Sequence, residues 1–261
     1  MKLIRQVLLL TISIWLLTLP SQGKDDYRYR NITMNDGLTI QRLNRLHDRF
    51  EPVSISYEGN CGGLRMLQTR DGRIWIGTWE NGLLLMHGDG RLEQVLNPTL
   101  TRAGYHIHTL YERDDNCLTI GCDDGMICLN PKTREWKRFF EDLQIPQNRQ
   151  SDRFVYAITS DTEGGLWVGT FYGGVHYISP VGKRFEAFSI DTGLRGNVIS
   201  RFCEDKYGRV WIASDDGGLM CFSPKERRFI DYPHQDVLSH QNAHALSFCG
   251  DELWVGTYTS S

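Results

Sequence analysis

The sequence predicts an all-β chain, an incomplete β-propeller built of four-stranded antiparallel blades. Three observations predict it. The small residue that follows Trp-Ile or Trp-Val (Thr-Ile in one case) recurs as Gly77, Gly121, Gly169, Ala213 and Gly256, at spacings of 44, 48, 44 and 43. A fixed period in the forties is the mark of propeller blades or helical arrays. Helical repeats need apolar residues at i, i+3 and i+4 over ten or more positions, whereas the apolar runs here last four to seven residues and are broken by Gly and Asp pairs. Finally, 26 glycines against 8 prolines indicate many tight turns rather than a disordered tract.

Taken in chain order, the first 23 residues have the layout of a secretory signal peptide. Lys2 and Arg5 precede the uncharged run "VLLLTISIWLLTL", and "PSQG" ends in small residues, with cleavage expected after Gly23. The run is short for a membrane span, which needs ~20 residues. Retention as an uncleaved anchor stays open, and no Cys stands where a lipoprotein would need one. Residues 24–60 read as an N-terminal strand and a connection, in which "TIQRLNRLHDRF" suggests a short helix.

Residues 61–261 are the repeats. One blade can be laid out over 197–232: "NVISRFCED" is its first strand, "RVWIAS" its second, "GLMCFSP" its third and "RRFIDY" its fourth. Asn-Gly at 81–82, Asp-Asp-Gly at 123–125 and 215–217, and Gly-Gly at 173–174 supply the positive backbone angles of hairpins. Trp75, Trp167, Trp211 and Trp254 are expected to fill the ~10 Å gap between adjacent sheets, with the small residue two positions on making room for each. Thr119 takes the Trp position of the second repeat and Cys122 its hydroxyl position, which predicts a looser blade there.

The charge balance, 29 basic against 32 acidic residues for a formal −3, excludes a nucleic-acid-binding surface as the main business. The seven cysteines are odd in number and lack a Cys-x-x-Cys pair. Set in apolar runs such as "GLMCF" and "GMICL", they read as small buried hydrophobes. No cofactor is implied.

"DGRIWIGTWENGL", "GGLWVGTFYGGV" and "GRVWIASDDGGL" resemble the two-component regulator propeller repeat, roughly Asp-x-x-Gly-x-Leu-Trp-Ile-Gly-Thr-x-x-Gly-Gly-Leu, and "MNDGL" and "DTGL" resemble the phrase that precedes each blade in that family. The likeness covers about residues 27–261. It implies a periplasmic sensor region of a hybrid two-component histidine kinase, in a family whose members commonly detect oligosaccharides. The full-length family is anchored in the inner membrane and dimeric, with two seven-bladed propellers, a β-sandwich, a membrane helix and a cytoplasmic kinase. Against that plan the sequence reads as an N-terminal fragment of about four and a half blades. "YRYRNIT" (27–33) resembles the outer strand that would complete the last blade of a closed ring.

Candidate ligand-binding residues follow from the loops of one face. The turns between second and third strands carry Trp79, Phe171, Tyr172 and Tyr258. The long connections carry Arg102, Tyr105, His106, His108, Arg153, Tyr156, Arg195, Asn197, Asn242 and His244. Aromatic plates beside Arg, Asn and His donors suit a sugar, whose ring faces stack while its hydroxyls hydrogen-bond. Packing among neighbouring loops is the bland alternative. His106 and His108 have no third metal ligand at a recognisable spacing. A propeller glycan hydrolase or lyase and a protein-binding scaffold are the rival functions. The sialidase Asp-box spacing is not met, since Asp161 and Asp205 precede their Trp by six and Asp71 by four, and no acid and nucleophile pair of carboxylates stands out.

Overall fold

The computed structural model describes residues 29–34, 37–44, 46–54, 65–97, 106–139, 153–181, 185–232 and 242–257. The signal-peptide segment, Cys61, Arg102, Tyr105 and Tyr258 lie outside them. Twenty-one strands and a single 3-10 turn (Ile190–Thr192) make up the described regular structure, and no described helix is long and apolar enough to cross a membrane.

Four four-stranded antiparallel sheets follow one another along the chain. Blade one is β4 (Arg65–Gln68), β5 (Ile74–Gly77), β6 (Leu83–Met86) and β7 (Leu92–Leu96). Blade two is β8 (Ile107–Glu112), β9 (Leu118–Cys122), β10 (Gly125–Leu129) and β11 (Trp136–Arg138). Blade three is β12 (Val155–Ser160), β13 (Leu166–Thr170), β14 (Val175–Ile178) and β15 (Phe185–Phe188). Blade four is β16 (Ile199–Glu204), β17 (Val210–Ser214), β18 (Gly218–Ser223) and β19 (Arg228–Phe229), close to the layout the sequence gives for 197–232. A two-stranded sheet, β20 (Ala243–Cys249) with β21 (Glu252–Thr257), continues the series. The first strands β4, β8, β12, β16 and β20 pack side by side in that order, as in the wall of a propeller channel. Among the described residues the sheets do not close into a ring, and the fold is an incomplete propeller.

The N-terminal region differs from its expected helix. β1 (Tyr29–Met34), β2 (Gly37–Asn44) and β3 (Arg49–Val53) form a three-stranded meander. Asn44 explains the turn: its side-chain oxygen accepts from the Leu46 amide at 3.0 Å and its side-chain amide donates to Glu51, while Asp48 takes a φ of 45°. An Asx turn of this kind competes directly with a helix. Ile40 is fully buried and packs with Ile74, Ile76 and Leu84 of blade one. The meander is therefore a sixth sheet stacked on the first blade.

Five apolar clusters fill the five gaps between these six sheets. Trp75, Trp167 and Trp211 are buried in three of them, as the sequence predicts. Trp254 is 63% exposed, contrary to expectation, because no further described sheet covers its face of β21. The repeated small residue also has a different purpose from the one expected. A Cβ on Gly77 would stand 2.4 Å from Ile107 Cγ2, one on Gly121 2.7 Å from Val155 Cγ1, and one on Gly169 2.5 Å from Ile199 Cγ2. The glycine admits the branched residue that opens the next blade's first strand. Where Ala213 replaces glycine, the corresponding residue of the next strand is Ala243, so a larger residue on one side is met by a smaller one on the other.

The hydroxyl of the repeat clamps the hairpin that follows. Thr78 Oγ1 donates to Gly82 O at 2.9 Å and Thr170 Oγ1 to Gly174 O at 3.1 Å. Cys122 Sγ does the same to Gly125 O at 3.3 Å. Blade two is not loose: its register runs unbroken across β9 and β10, and every β9 residue is buried. The missing indole is replaced from the opposite strand. Tyr111 lies across from Thr119, packs into the gap towards blade three and hydrogen-bonds Ser160 there. Burial holds the Cys122 and Cys221 thiols up at about 11, in keeping with inert filler. Cys117 and Cys128 depart from that reading, since a disulfide joins the residue just before β9 to β10.

Candidate ligand-binding site

Each first strand from blade two onward carries a β-bulge near its start, at the same place in the repeat. The register slips between Ile107 and Thr109, Val155 and Ala157, Ile199 and Arg201, and Ala243 and Ala245. The extra residues are His108, Tyr156, Ser200 and His244. A bulge re-aims the side chain it carries, and bulges gather at barrel rims and sites. Directly after the hairpin clamp of the second strand stand Trp79, Asp123, Phe171 and Asp215, one per blade. The site is built where these two sets meet.

The aromatic members form a ladder across three blades. Trp79 meets His106 edge-on at 5.4 Å, His106 lies 6.2 Å from His108, and His108 stacks on Tyr156 at 4.0 Å and 14°. Tyr156 stacks on Phe171 at 5.0 Å, and Phe171 abuts Tyr172 at 4.5 Å. Trp79 and Tyr172, at the two ends, are each about half exposed.

Carboxylates hold the polar members. Asp123 accepts from His106 Nδ1 at 2.8 Å and from His108 Nε2 at 2.5 Å, so one side chain fixes both rings. Burial pushes the His108 imidazole below its ordinary range, while Asp123 works in the opposite direction. Asp215 is contacted by Ser200 Oγ at 2.8 Å and His244 Nδ1 at 3.1 Å. Arg153 and Arg138 converge on Asp124, at 3.3 and 2.9 Å. Arg65 Nε donates to the His108 carbonyl at 2.7 Å, and Arg201 Nη1 to the Ser200 carbonyl at 2.6 Å. The Tyr156 phenol, raised chiefly by burial, also feels Asp123, Asp215 and Arg65. Asp123, Asp215 and Arg65 thus lie near the Tyr156 phenol.

Of the residues singled out from the sequence, Trp79, His106, His108, Tyr156, Phe171 and Tyr172 come together, and His244 and Arg153 lie on adjoining carboxylates. Asn197 shapes its own loop: its side chain accepts from the Ile190 amide at 3.1 Å and its backbone amide donates to Asp216 at 3.2 Å. The Arg195 amide donates to Met220 Sδ at 3.2 Å, and Asn242 is exposed. Asp123, Asp215, Ser200, Arg65 and Arg201 are missing from the sequence-derived set. The repeat register itself would have found the first two, since they occupy the Trp79 and Phe171 position. No group of His, Cys, Asp and Glu among the described residues is arranged to hold a metal.

The model of the two component regulator propeller matches the chain three times, at residues 64–80, 149–172 and 193–216. The chain carries two-component regulator propeller repeats. The matched segments hold the first two strands of blades one, three and four, and blade two, with Thr119 for Trp, falls between them. Among curated proteins no sequence matches the chain. Among solved structures, the extracellular domain assigned to the hybrid two component system BT3049 of B. thetaiotaomicron superimposes with a TM-score of 0.66 at 19% identity, covering 88% of this chain and 30% of that one. The extracellular domain assigned to the one component system BT4673 of the same organism gives 0.65 at 20%, with the same coverage. The WD40 propeller domain of Doa1 gives 0.55 at 14%, covering 78% and 63%. At such identities the likeness is one of fold. The chain spans about a third of the length of the two bacterial domains.

Proposed function

We propose that this propeller is the periplasmic ligand-sensing segment of a two-component regulatory system, that its ligand is an oligosaccharide, and that it binds rather than turns over that ligand. One observation carries the reading: the ladder from Trp79 to Tyr172, exposed at both ends and flanked by hydrogen-bonding groups. Sugar rings present apolar faces to such plates and hydroxyls to such groups. The repeats support the regulatory class, and the basic and apolar N-terminal layout supports export. Its partners on this reading are the remaining blades and the kinase of a dimeric sensor. Glycan-array binding tests it. Binding is expected for the unaltered chain and lost on Trp79→Ala, Phe171→Ala and Tyr172→Ala, with no product formed from any bound glycan. Turnover of a glycan by the purified chain would make it an enzyme instead.

A further inference from the structure

We propose that Asp123 is the positioning residue of the aromatic ladder: it fixes His106 so that the ring offers an acceptor nitrogen beside Trp79, and a sugar stacked on Trp79 is read there through a hydroxyl that donates to that nitrogen. The proposal rests on the oligosaccharide reading and narrows it to a sugar that is neutral and unsubstituted at this edge.

Asp123 opens the hairpin between β9 and β10, directly after Cys122, whose thiol donates to Gly125 O at 3.3 Å. Its backbone is thereby held, and its two oxygens reach different rings. One lies 2.8 Å from His106 Nδ1 and the other 2.5 Å from His108 Nε2. An ionised carboxylate can only accept, so the ring nitrogen that faces it carries the proton. In a neutral imidazole the lone pair then falls on the other nitrogen, Nε2 of His106 and Nδ1 of His108.

The two rings differ in what surrounds them. The His108 side chain is 8% exposed and stacks on Tyr156 at 4.0 Å, so it carries the ladder into blade three. The His106 side chain is 44% exposed, and among the described residues its ring hydrogen-bonds to Asp123 alone. Trp79, itself half exposed, meets it edge-on at 5.4 Å. An aromatic plate and a fixed acceptor thus stand side by side, one for the face of a sugar ring and one for its edge. A carboxylate or sulfate at that edge would set oxygen lone pairs against a nitrogen lone pair, whereas a hydroxyl supplies the proton. Without the clamp the ring would sample both tautomers and several rotamers, and ordering it on binding would weaken the complex.

The hairpin itself does not demand an acid here. Blades one and three place Trp79 and Phe171 at the same point of the repeat. Blade four places Asp215, which again meets its own blade's bulge residue, Ser200, and a histidine, His244, at 2.8 and 3.1 Å. In both described blades that lack an aromatic residue at this point, a carboxylate holds a histidine.

The first measurement needs no ligand. Long-range proton–nitrogen correlation spectra of the isotope-labelled full chain at about pH 8.5, above the ordinary histidine range, read each tautomer, with His106→Gln and His108→Gln assigning the signals. His106 is expected with its proton on Nδ1 and His108 with its proton on Nε2. Asp123→Asn, whose amide has one acceptor oxygen in place of two, should release at least one ring into mixed tautomers. His106 protonated on Nε2, or on both nitrogens, in the unaltered chain would overturn the proposal. The second measurement titrates neutral gluco-, xylo- and manno-oligosaccharides, with oligogalacturonides as the acidic comparison. Asp123→Asn and His106→Phe should each weaken binding of a neutral sugar at least about five-fold, with melting curves showing whether the variants fold. Unchanged affinity in either variant would overturn the assigned role and leave the ladder standing, and binding confined to the acidic set would overturn the neutral edge. If no saccharide binds, the oligosaccharide reading falls, and the tautomers of the unaltered chain alone decide whether Asp123 is the clamp. Should Asp123→Asn fail to fold, those tautomers and His106→Phe carry the test.

Discussion

The indole Nε1 of Trp167 donates to the Asp161 carboxylate at 2.9 Å, and the other oxygen of that carboxylate accepts from the Gly165 amide at 2.6 Å. One side chain thus ties the turn before the second strand to the aromatic plate between the blades. Trp211 and Asp205 repeat the bond at 3.0 Å. Trp75 has no acceptor among the described residues, because Thr69 stands six residues before it and Asp71 is drawn to Arg73.

Substituting Phe for these tryptophans should therefore give unequal results. Trp167→Phe strips a buried carboxylate of a partner and should exceed Trp75→Phe by ~1–3 kcal/mol in unfolding free energy. Trp75 keeps only ring contacts, with Arg73 and Arg134 each 5.5 Å from its centroid. Denaturant melts of both variants check this, and equal losses would show that the indole hydrogen bond contributes nothing.

The pairing of small and large residues across the blade interface makes a second prediction. Gly169→Ala places a methyl group 2.5 Å from Ile199 Cγ2 and should cost ~1–3 kcal/mol through overpacking. Adding Ile199→Ala recreates the native Ala213 and Ala243 combination and should recover part of that loss. A double-mutant cycle by thermal melting measures the coupling, which should be favourable and at least ~0.5 kcal/mol; strict additivity would mean that the two sites do not meet.

The blades were legible because their strands repeat with a fixed period and the turn chemistry is local. The N-terminal meander was not. It lacks the Trp-x-Gly anchor, and "TIQRLNRLHDRF" has helix-forming residues whose fate is decided by Asn44 capping a turn and by Ile40 burying itself on blade one. Burial of a tryptophan depends on the neighbouring sheet, which is why Trp211 and Trp254, alike in sequence, differ in exposure. At the site the aromatic residues were legible as loop residues, but their order in the ladder was not. Asp123 and Asp215 escaped notice because an aspartate in an Asp-Gly turn already has a conformational reason to be there.

The exposure of Trp254 should be visible in solution. Acrylamide should quench the exposed tryptophans, Trp79, Trp136 and Trp254, far more strongly than the buried ones, and Trp254→Phe should diminish the quenchable fraction. Trp75→Phe should leave it intact, since Trp75 is fully buried. An unchanged quenching curve for Trp254→Phe would mean that another surface covers this face of β21.

His176 supplies a dependence on pH. It lies on β14, 6% exposed, stacked on Phe185 at 5.2 Å, with Nδ1 lacking a partner among the described residues. Burial lowers its pKa from 6.5 to about 4. The unfolded chain therefore takes up a proton near pH 6.5 while the folded chain does not until about pH 4. Stability from this group is fully present above pH 6.5 and falls as pH drops toward 4, by up to about 3 kcal/mol. His108, also lowered by burial, acts in the same direction and persists when His176 is removed. Phe at position 176 keeps the stack on Phe185 and cannot bind a proton. His176→Phe should thus flatten the decline of melting temperature between pH 6.5 and 4.5 relative to the unaltered chain, without abolishing it. Parallel curves for the two proteins would show that His176 is protonated as readily in the folded state as in the unfolded one, and hence that water reaches its ring.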